Sequence, residues 1–322
     1  MKLRILASLL LAGLLTVPPL PGTTVAGDPA DPRYGAPPGA GLDGVAMLLT
    51  VFGSEVLGCS ATLLHTGRDV LTAAHCVTDY YGAPLPDVSL LYFVTPSGPH
   101  ERQGVSYRVF PGWNADLLSG TDLAIIRLNE WAPADADRYQ IYWGNDEVGQ
   151  MGTLAGFGMS GTGAEGATLP YGTRLQGKNE YDTTGAHFGL SSNLLLFDFD
   201  NGLPENDALG WAGLPGLGLG LDEAFGGPGD SGGPMLIGGM VAGNRSAFAN
   251  YGICPPDVIT KGGCVIDSSF GEIGIDTRLS AFRDFINASV PEPETWGLVG
   301  GGLAALFMLA RSRRRHGSMA SS

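Results

Sequence analysis

The sequence predicts a mostly-β architecture, a sandwich or barrel of short strands followed by one terminal helix. Three observations carry that expectation. Short apolar or alternating runs recur along the 322 residues with turn residues between them. The chain holds 51 glycines, as many loops between short strands require. Helical spacing appears in one good stretch only, close to the end of the folded region. Hydrophobic residues make up 44% and charged residues 16%, which excludes a disordered chain. The net charge of -14 argues against a nucleic-acid partner, because affinity for a phosphate backbone rests on basic residues that displace counterions.

The elements follow in chain order. Residues 1–26 carry Lys2 and Arg4, an apolar run over 5–15, and small residues ending Thr24, Val25, Ala26. That is the build of a secretory signal peptide, with cleavage expected after Ala26. Residues 27–44, rich in Pro, Gly and Ala, form a propeptide or lead-in. The folded domain spans 45–289. Strands are expected over 45–52, 60–65, 88–94, 105–110, 123–128 and 151–157. In the second half they fall over 193–199, 234–237, 239–243 and 271–277. A helix over 279–287 places Leu279, Phe282, Phe285 and Ile286 on one face. The Gly-rich stretches 160–171 and 202–229 are expected as surface loops.

After Ser289 the composition changes. Val290-Pro291-Glu292-Pro293 leads into an apolar run over 296–310 and then Arg311, Arg313, Arg314 and Arg315. Residues 290–315 are expected to insert in a membrane as a helix, with the Arg cluster cytoplasmic and everything before Val290 outside. Residues 316–322 are a tail. Export places the four cysteines in an oxidising compartment, where an even set implies two disulfides. Sequence order suggests Cys59 with Cys76 and Cys254 with Cys264, although four cysteines permit three connectivities. With no Cys-x-x-Cys pair, a zinc site is disfavoured and no metal is expected.

Three motifs carry chemistry. In Gly229-Asp230-Ser231-Gly232-Gly233-Pro234 a serine sits in a glycine-dense turn where backbone N–H groups can converge. A hydroxyl needs a base and such donors to act as a nucleophile. The base candidate is His75, in Leu71-Thr72-Ala73-Ala74-His75-Cys76, and Asp122, at the mouth of an apolar strand, can orient its imidazole. Gly-x-Ser-x-Gly also fits the α/β-hydrolase elbow, but that fold needs its histidine after the serine. Only His316 follows, in the basic tail beyond the apolar run.

These motifs resemble those of the chymotrypsin/trypsin family of serine proteases, over roughly residues 34–287. The resemblance implies two six-stranded antiparallel β-barrels, with His75, Asp122 and Ser231 in the cleft between them. It implies a serine-type endopeptidase acting through an acyl-enzyme, with peptide or protein substrates and no cofactor. It assigns the oxyanion hole to the N–H groups of Gly229 and Ser231, and substrate contacts to Phe225, Ser246 and Phe248. In the family the position of Asp230 anchors a new N-terminus. Phe225 stands where enzymes selecting Lys or Arg carry aspartate, so a basic preference is not expected. Arg33-Tyr34 lies near the family's activation cleavage but lacks its usual following sequence. Asp276 reads either as a carboxylate near the pocket base or as a surface residue.

Asp198, Asp200, Asn201, Glu205 and Asp207 form an acidic run that reads either as a calcium site or as a solvated loop; the spacing is not that of an EF-hand, which favours the solvated loop. The tail resembles the PEP-CTERM sorting signal of exported bacterial proteins. That resemblance implies an exosortase-type processing partner and a place in the cell envelope or at the surface. A non-catalytic surface or adhesion protein retaining the same fold is the alternative function.

Overall fold

The computed structural model describes residues 22–78, 85–250, 257–258 and 265–290. It opens with β1 (Thr23–Val25) and a 3-10 turn at Pro32–Tyr34. Six strands then close a barrel: β2 (Val45–Phe52), β3 (Glu55–Leu63), β4 (Asp69–Thr72), β5 (Val88–Thr95), β6 (Gly98–Val109) and β7 (Ala124–Leu128). Their order around the barrel is β2-β3-β4-β7-β6-β5, every pairing antiparallel. Alternation fills the interior. Along β5 every second residue is buried, and Leu91 and Phe93 join Leu48, Leu63, Val70 and Ile126 in the barrel core. The register of β6 against β7 shifts between Gly104 and Ser106. A Cβ at Gly104 would stand 2.7 Å from Ile126 Cγ2, so the bend needs glycine at that point.

The second lobe is an open seven-stranded sheet, where the expectation was a second six-stranded barrel. Its strands are β8 (Met151–Gly156), β11 (Leu175–Glu180), β12 (Thr183–Thr184), β13 (Leu194–Asp198), β15 (Pro234–Ile237), β16 (Met240–Ala249) and β17 (Ile273–Arg278). They run in the order β11-β8-β15-β16-β17-β13-β12. A smaller sheet takes up the rest, in the order β10-β9-β1-β14, with β9 (Ser160–Thr162), β10 (Gly166–Leu169) and β14 (Ala224–Phe225). An isolated bridge between Lys178 of β11 and Glu223, directly before β14, joins the two sheets into a half-barrel, without a continuous closed ring among these strands. Their core is aromatic: Tyr181, Phe197, Phe199, Phe225 and Phe270 pack together, with Phe199 stacked on Phe225 at 5.3 Å.

Several local expectations change. The stretch 160–171, expected as a loop, contains β9 and β10. The stretch 202–229 contains β14 and buries Asp207, Ala208, Leu209 and Glu223. Leu279–Phe282 is a 3-10 turn, and the helix proper, α1, is Arg283–Ser289. β1 lies on the N-terminal side of the cut expected after Ala26. Its Thr23 and Thr24 are buried, and it pairs with β14 on one side and β9 on the other. Among the described residues no helix is long and apolar enough to cross a membrane. The apolar run over 296–310, the signal peptide core, Cys254 and Cys264 lie outside the described residues.

Candidate active site

His75 sits in a 3-10 turn, Ala74–Cys76, directly after β4. The disulfide between Cys59 on β3 and Cys76, with Cα atoms 6.2 Å apart, ties this turn to the barrel wall. That pairing is the one sequence order suggests. Asp122 precedes β7, the strand paired with β4, so adjacent strands of one barrel present the two side chains. His75 Nδ1 lies 2.7 Å from Asp122 Oδ2, and His75 N donates to Asp122 Oδ1 at 2.9 Å.

Asp122 is 0% exposed, and a buried carboxylate needs its lone pairs satisfied. Ser246 Oγ supplies a further bond, donating to Asp122 Oδ2 at 2.7 Å. Thr277 Oγ1 donates to the Asp122 carbonyl at 3.1 Å. The barrel's aspartate is thereby fastened to β16 and β17 of the other lobe. Burial opposes protonation of the His75 imidazole. The Asp122 charge and hydrogen bond act the other way, and the net shift is upward from 6.5.

Ser231 stands in the turn before β15. Its carbonyl accepts from Ser60 N at 2.8 Å, and Cys76 Sγ lies 3.7 Å from the same oxygen and 3.8 Å from His75 Nε2. One sulfur therefore touches both the imidazole edge and the serine backbone. No hydrogen bond joins Ser231 Oγ to His75 Nε2 among the described contacts. Such bonds are often long before a substrate is bound.

The turn itself is built on positive φ. Gly229 has φ +95°, and a Cβ there would enter the Tyr171 ring; Gly232 has φ +80°. Asp230 points inward, its Oδ1 accepting from Gly158 N at 2.8 Å and its Oδ2 from Gly227 N at 2.9 Å. Burial pushes the Asp230 carboxyl up, against the pull of those N–H groups and of the Arg245 charge. Neither Gly229 N–H nor Ser231 N–H donates to another group among the described residues. Two free, neighbouring N–H donors held by a rigid turn can stabilise an oxyanion.

Sequence reasoning missed two groups. Ser60 Oγ donates to Gly229 O at 3.1 Å and accepts from Phe157 N at 3.0 Å, bracing the serine turn from the barrel. Arg245 is buried, with Nε 2.5 Å from Asp276 Oδ1, and Tyr181 OH donates to Asp276 Oδ2 at 2.6 Å. Asp276 is thus an internal counter-ion and not a surface residue. The only sequence signal for Arg245 is its place directly before Ser246.

Of the residues assigned to substrate contact, Phe225 is 0% exposed within the aromatic core. Ser246 is likewise buried, with its hydroxyl on Asp122. Phe248 is partly exposed, 5.0 Å from Phe225, and Arg245 lies 5.8 Å from its ring centre. Tyr34, beside Arg33, is buried; its hydroxyl donates to Leu221 O and accepts from Gly27 N at 3.0 Å.

The acidic run is not solvated. Asp198, Asp200 and Asp207 are 3%, 4% and 5% exposed, whereas Glu205 is exposed and Asn201 partly so. Burial and then mutual repulsion push Asp200 up to about 10. The same burial takes Glu223, which accepts from Asp200 N, to about 7.

Known proteins resemble this chain in sequence pattern and in fold. The family model described as Trypsin matches residues 45–193, which include His75 and Asp122, and the PEP-CTERM protein-sorting motif matches residues 289–315. Two solved structures are similar in fold. One is neuropsin, a serine protease expressed in the limbic system of mouse brain, with 17% identity and TM-score 0.53; the match covers 77% of this chain and 94% of that one. The other is HL collagenase, with 17% identity and TM-score 0.55, covering 80% and 97%. No curated protein matches the sequence.

Proposed function

We propose that this chain, a trypsin-like domain with the fold of chymotrypsin-family serine proteases joined to a PEP-CTERM sorting motif, is an exported serine endopeptidase. The observation that carries the reading is the buried Asp122 carboxylate 2.7 Å from His75 Nδ1. With Nδ1 protonated, Nε2 is the free lone pair that can take the Ser231 proton. Ser231 Oγ then attacks the peptide carbonyl, and His75 becomes an imidazolium beside Asp122. The Gly229 and Ser231 N–H groups receive the oxyanion. His75 returns the proton to the leaving amine, and water, deprotonated by His75, releases the acyl-enzyme.

The Asp276 charge is already matched by Arg245, and Phe225 is internal. Neither residue offers a free carboxylate to a lysine or arginine side chain of the substrate. The sorting motif implies an exported, envelope-associated protein. Within that frame the proposed partners are an exosortase-type processing enzyme and, through residues 296–310, the membrane of a bacterial envelope.

The test is covalent labelling by a fluorophosphonate, alongside cleavage of a mixed peptide library read by mass spectrometry. Labelling and cleavage that both vanish in Ser231→Ala establish the reading. A folded, disulfide-bonded protein that neither labels nor cleaves is the non-catalytic surface protein instead.

A further inference from the structure

The geometry points to a calcium site in the second lobe, formed by the carboxylates of Asp198, Asp200 and Asp207. One carboxylate oxygen from each lies within 4.8 Å of the others. Oxygens on opposite sides of one calcium ion stand about 5 Å apart, given metal–oxygen distances of roughly 2.3–2.6 Å. The three donors therefore fit around a single ion. All three residues are buried, and among the described residues Asp200 Oδ1 has no hydrogen-bond partner although its residue is only 4% exposed. A buried carboxylate oxygen without a donor is costly unless a cation or a proton meets it.

The frame around the three is already built. Asp198 closes β13, a fully buried strand, and its Oδ2 accepts from Leu209 N at 2.6 Å. Asp207 accepts from Gly210 N at 2.5 Å through Oδ1 and from Gly216 N at 3.2 Å through Oδ2. Glu223 accepts from Asp200 N at 2.9 Å and from Leu219 N at 2.5 Å. At Gly218, with φ +71°, a Cβ would come 2.6 Å from Asp200 Cβ, so the loop is wrapped against the carboxylates. No lysine or arginine makes an ion pair with any of these carboxylates among the described residues.

The donor chemistry selects the ion. Oxygen-only carboxylate ligands, with neither His nor Cys in the cluster, suit a hard divalent cation and disfavour zinc or copper. Calcium accepts irregular shells of 6–8 oxygens, so three carboxylates leave positions for water or main-chain carbonyls, whereas magnesium demands a tight octahedron and sheds its water reluctantly. Bound there, the ion fastens the loop between β13 and β14 to the strand end it left. Glu223 is the residue directly before β14, so the same clamp steadies the chain leading into the Ser231 turn.

The experiment uses the full chain, exported with its disulfides and carrying Ser231→Ala so that self-cleavage cannot confuse the result. After chelation and dialysis, calcium is added back and followed by isothermal titration and thermal melting. We expect one site and, at about a hundredfold excess over Kd, a Tm rise of roughly 5–10 °C. Asp200→Asn and Asp207→Asn each abolish the rise, while each chelated variant still melts cooperatively. A flat titration with no Tm shift overturns the proposal, as does a response to magnesium but not to calcium. A calcium shift undiminished in both variants overturns it too, by placing the ion elsewhere. None of these readouts depends on proteolysis, so a failed protease assay and a failed calcium assay are distinguishable.

Discussion

Ser246 Oγ donates to the same oxygen of Asp122 that faces His75 Nδ1, and the two contacts are equal at 2.7 Å. Asp122 is therefore held from the barrel on one side and from β16 on the other. A hydrogen bond to a charged acceptor contributes about 1.5–3 kcal/mol. Ser246→Ala is expected to lower kcat/KM about tenfold to a hundredfold without unfolding the protein, as measured on a fluorogenic peptide drawn from the library screen. An unchanged rate would mean that His75 alone positions the carboxylate.

The upward shift at His75 sets a pH dependence. The base must be neutral to act, so kcat/KM should fall on the acid side with a midpoint above 6.5. In Asp122→Asn the two upward influences vanish and burial remains, so the midpoint of the residual activity should drop below 6.5. The sign for stability follows from the same shift. The imidazolium–Asp122 pair stabilises the fold fully below pH 6.5, and that contribution is lost as pH rises through the raised folded value. Initial rates and urea midpoints across pH 5–9 check both.

Arg245 and Asp276 form a buried pair whose members cannot be removed singly without leaving a charge inside. Asp276→Ala should destabilise the protein by about 3–5 kcal/mol, and joint replacement of both by apolar residues should recover much of the loss. Equilibrium urea unfolding of the two variants decides it.

Gly229 combines a φ of +95° with a Tyr171 ring where a side chain would go. Gly229→Ala should twist the turn and misplace its N–H donor, lowering kcat about 10²–10³-fold. The disulfide and barrel should stay intact, which near-ultraviolet circular dichroism would verify.

β1 makes the site of leader removal consequential. A chain starting at Gly22 keeps the strand between β14 and β9, whereas one starting at Gly27 loses it and exposes Phe225's strand edge. The Gly27 form should melt several degrees lower and label more slowly with fluorophosphonate. N-terminal sequencing of the exported protein should find an end at or before Gly22.

The parts of the fold that sequence announces are those with apolar inward faces, such as β2 and β15, whose bounds match expectation. β11 escaped because its inward residues after Leu175 are Gly177 and Asn179. Asn179 is buried for its hydrogen bonds to Asp198 O and Ala224 O, a role no alternation pattern displays. His75 and Asp122, which the structure brings to 2.7 Å, each sit in a local motif, as does the proposed nucleophile Ser231. Arg245 and Asp276 meet across paired strands 31 residues apart, and Ser60 acts on a turn 169 residues away, so neither contact has a local signature. The burial of Asp198, Asp200 and Asp207 likewise depends on a loop folding back, which acidity alone does not foretell.

The bond from Cys59 to Cys76 bears on safety as well as on architecture. The turn that aims His75 is stapled by a linkage that the reducing interior of a cell does not sustain. Before export, the histidine turn is held by hydrogen bonds and packing alone. Oxidation outside the cytoplasm then completes the staple, so under the proposed function the histidine turn is fixed only once the chain has left the proteins of its own maker behind.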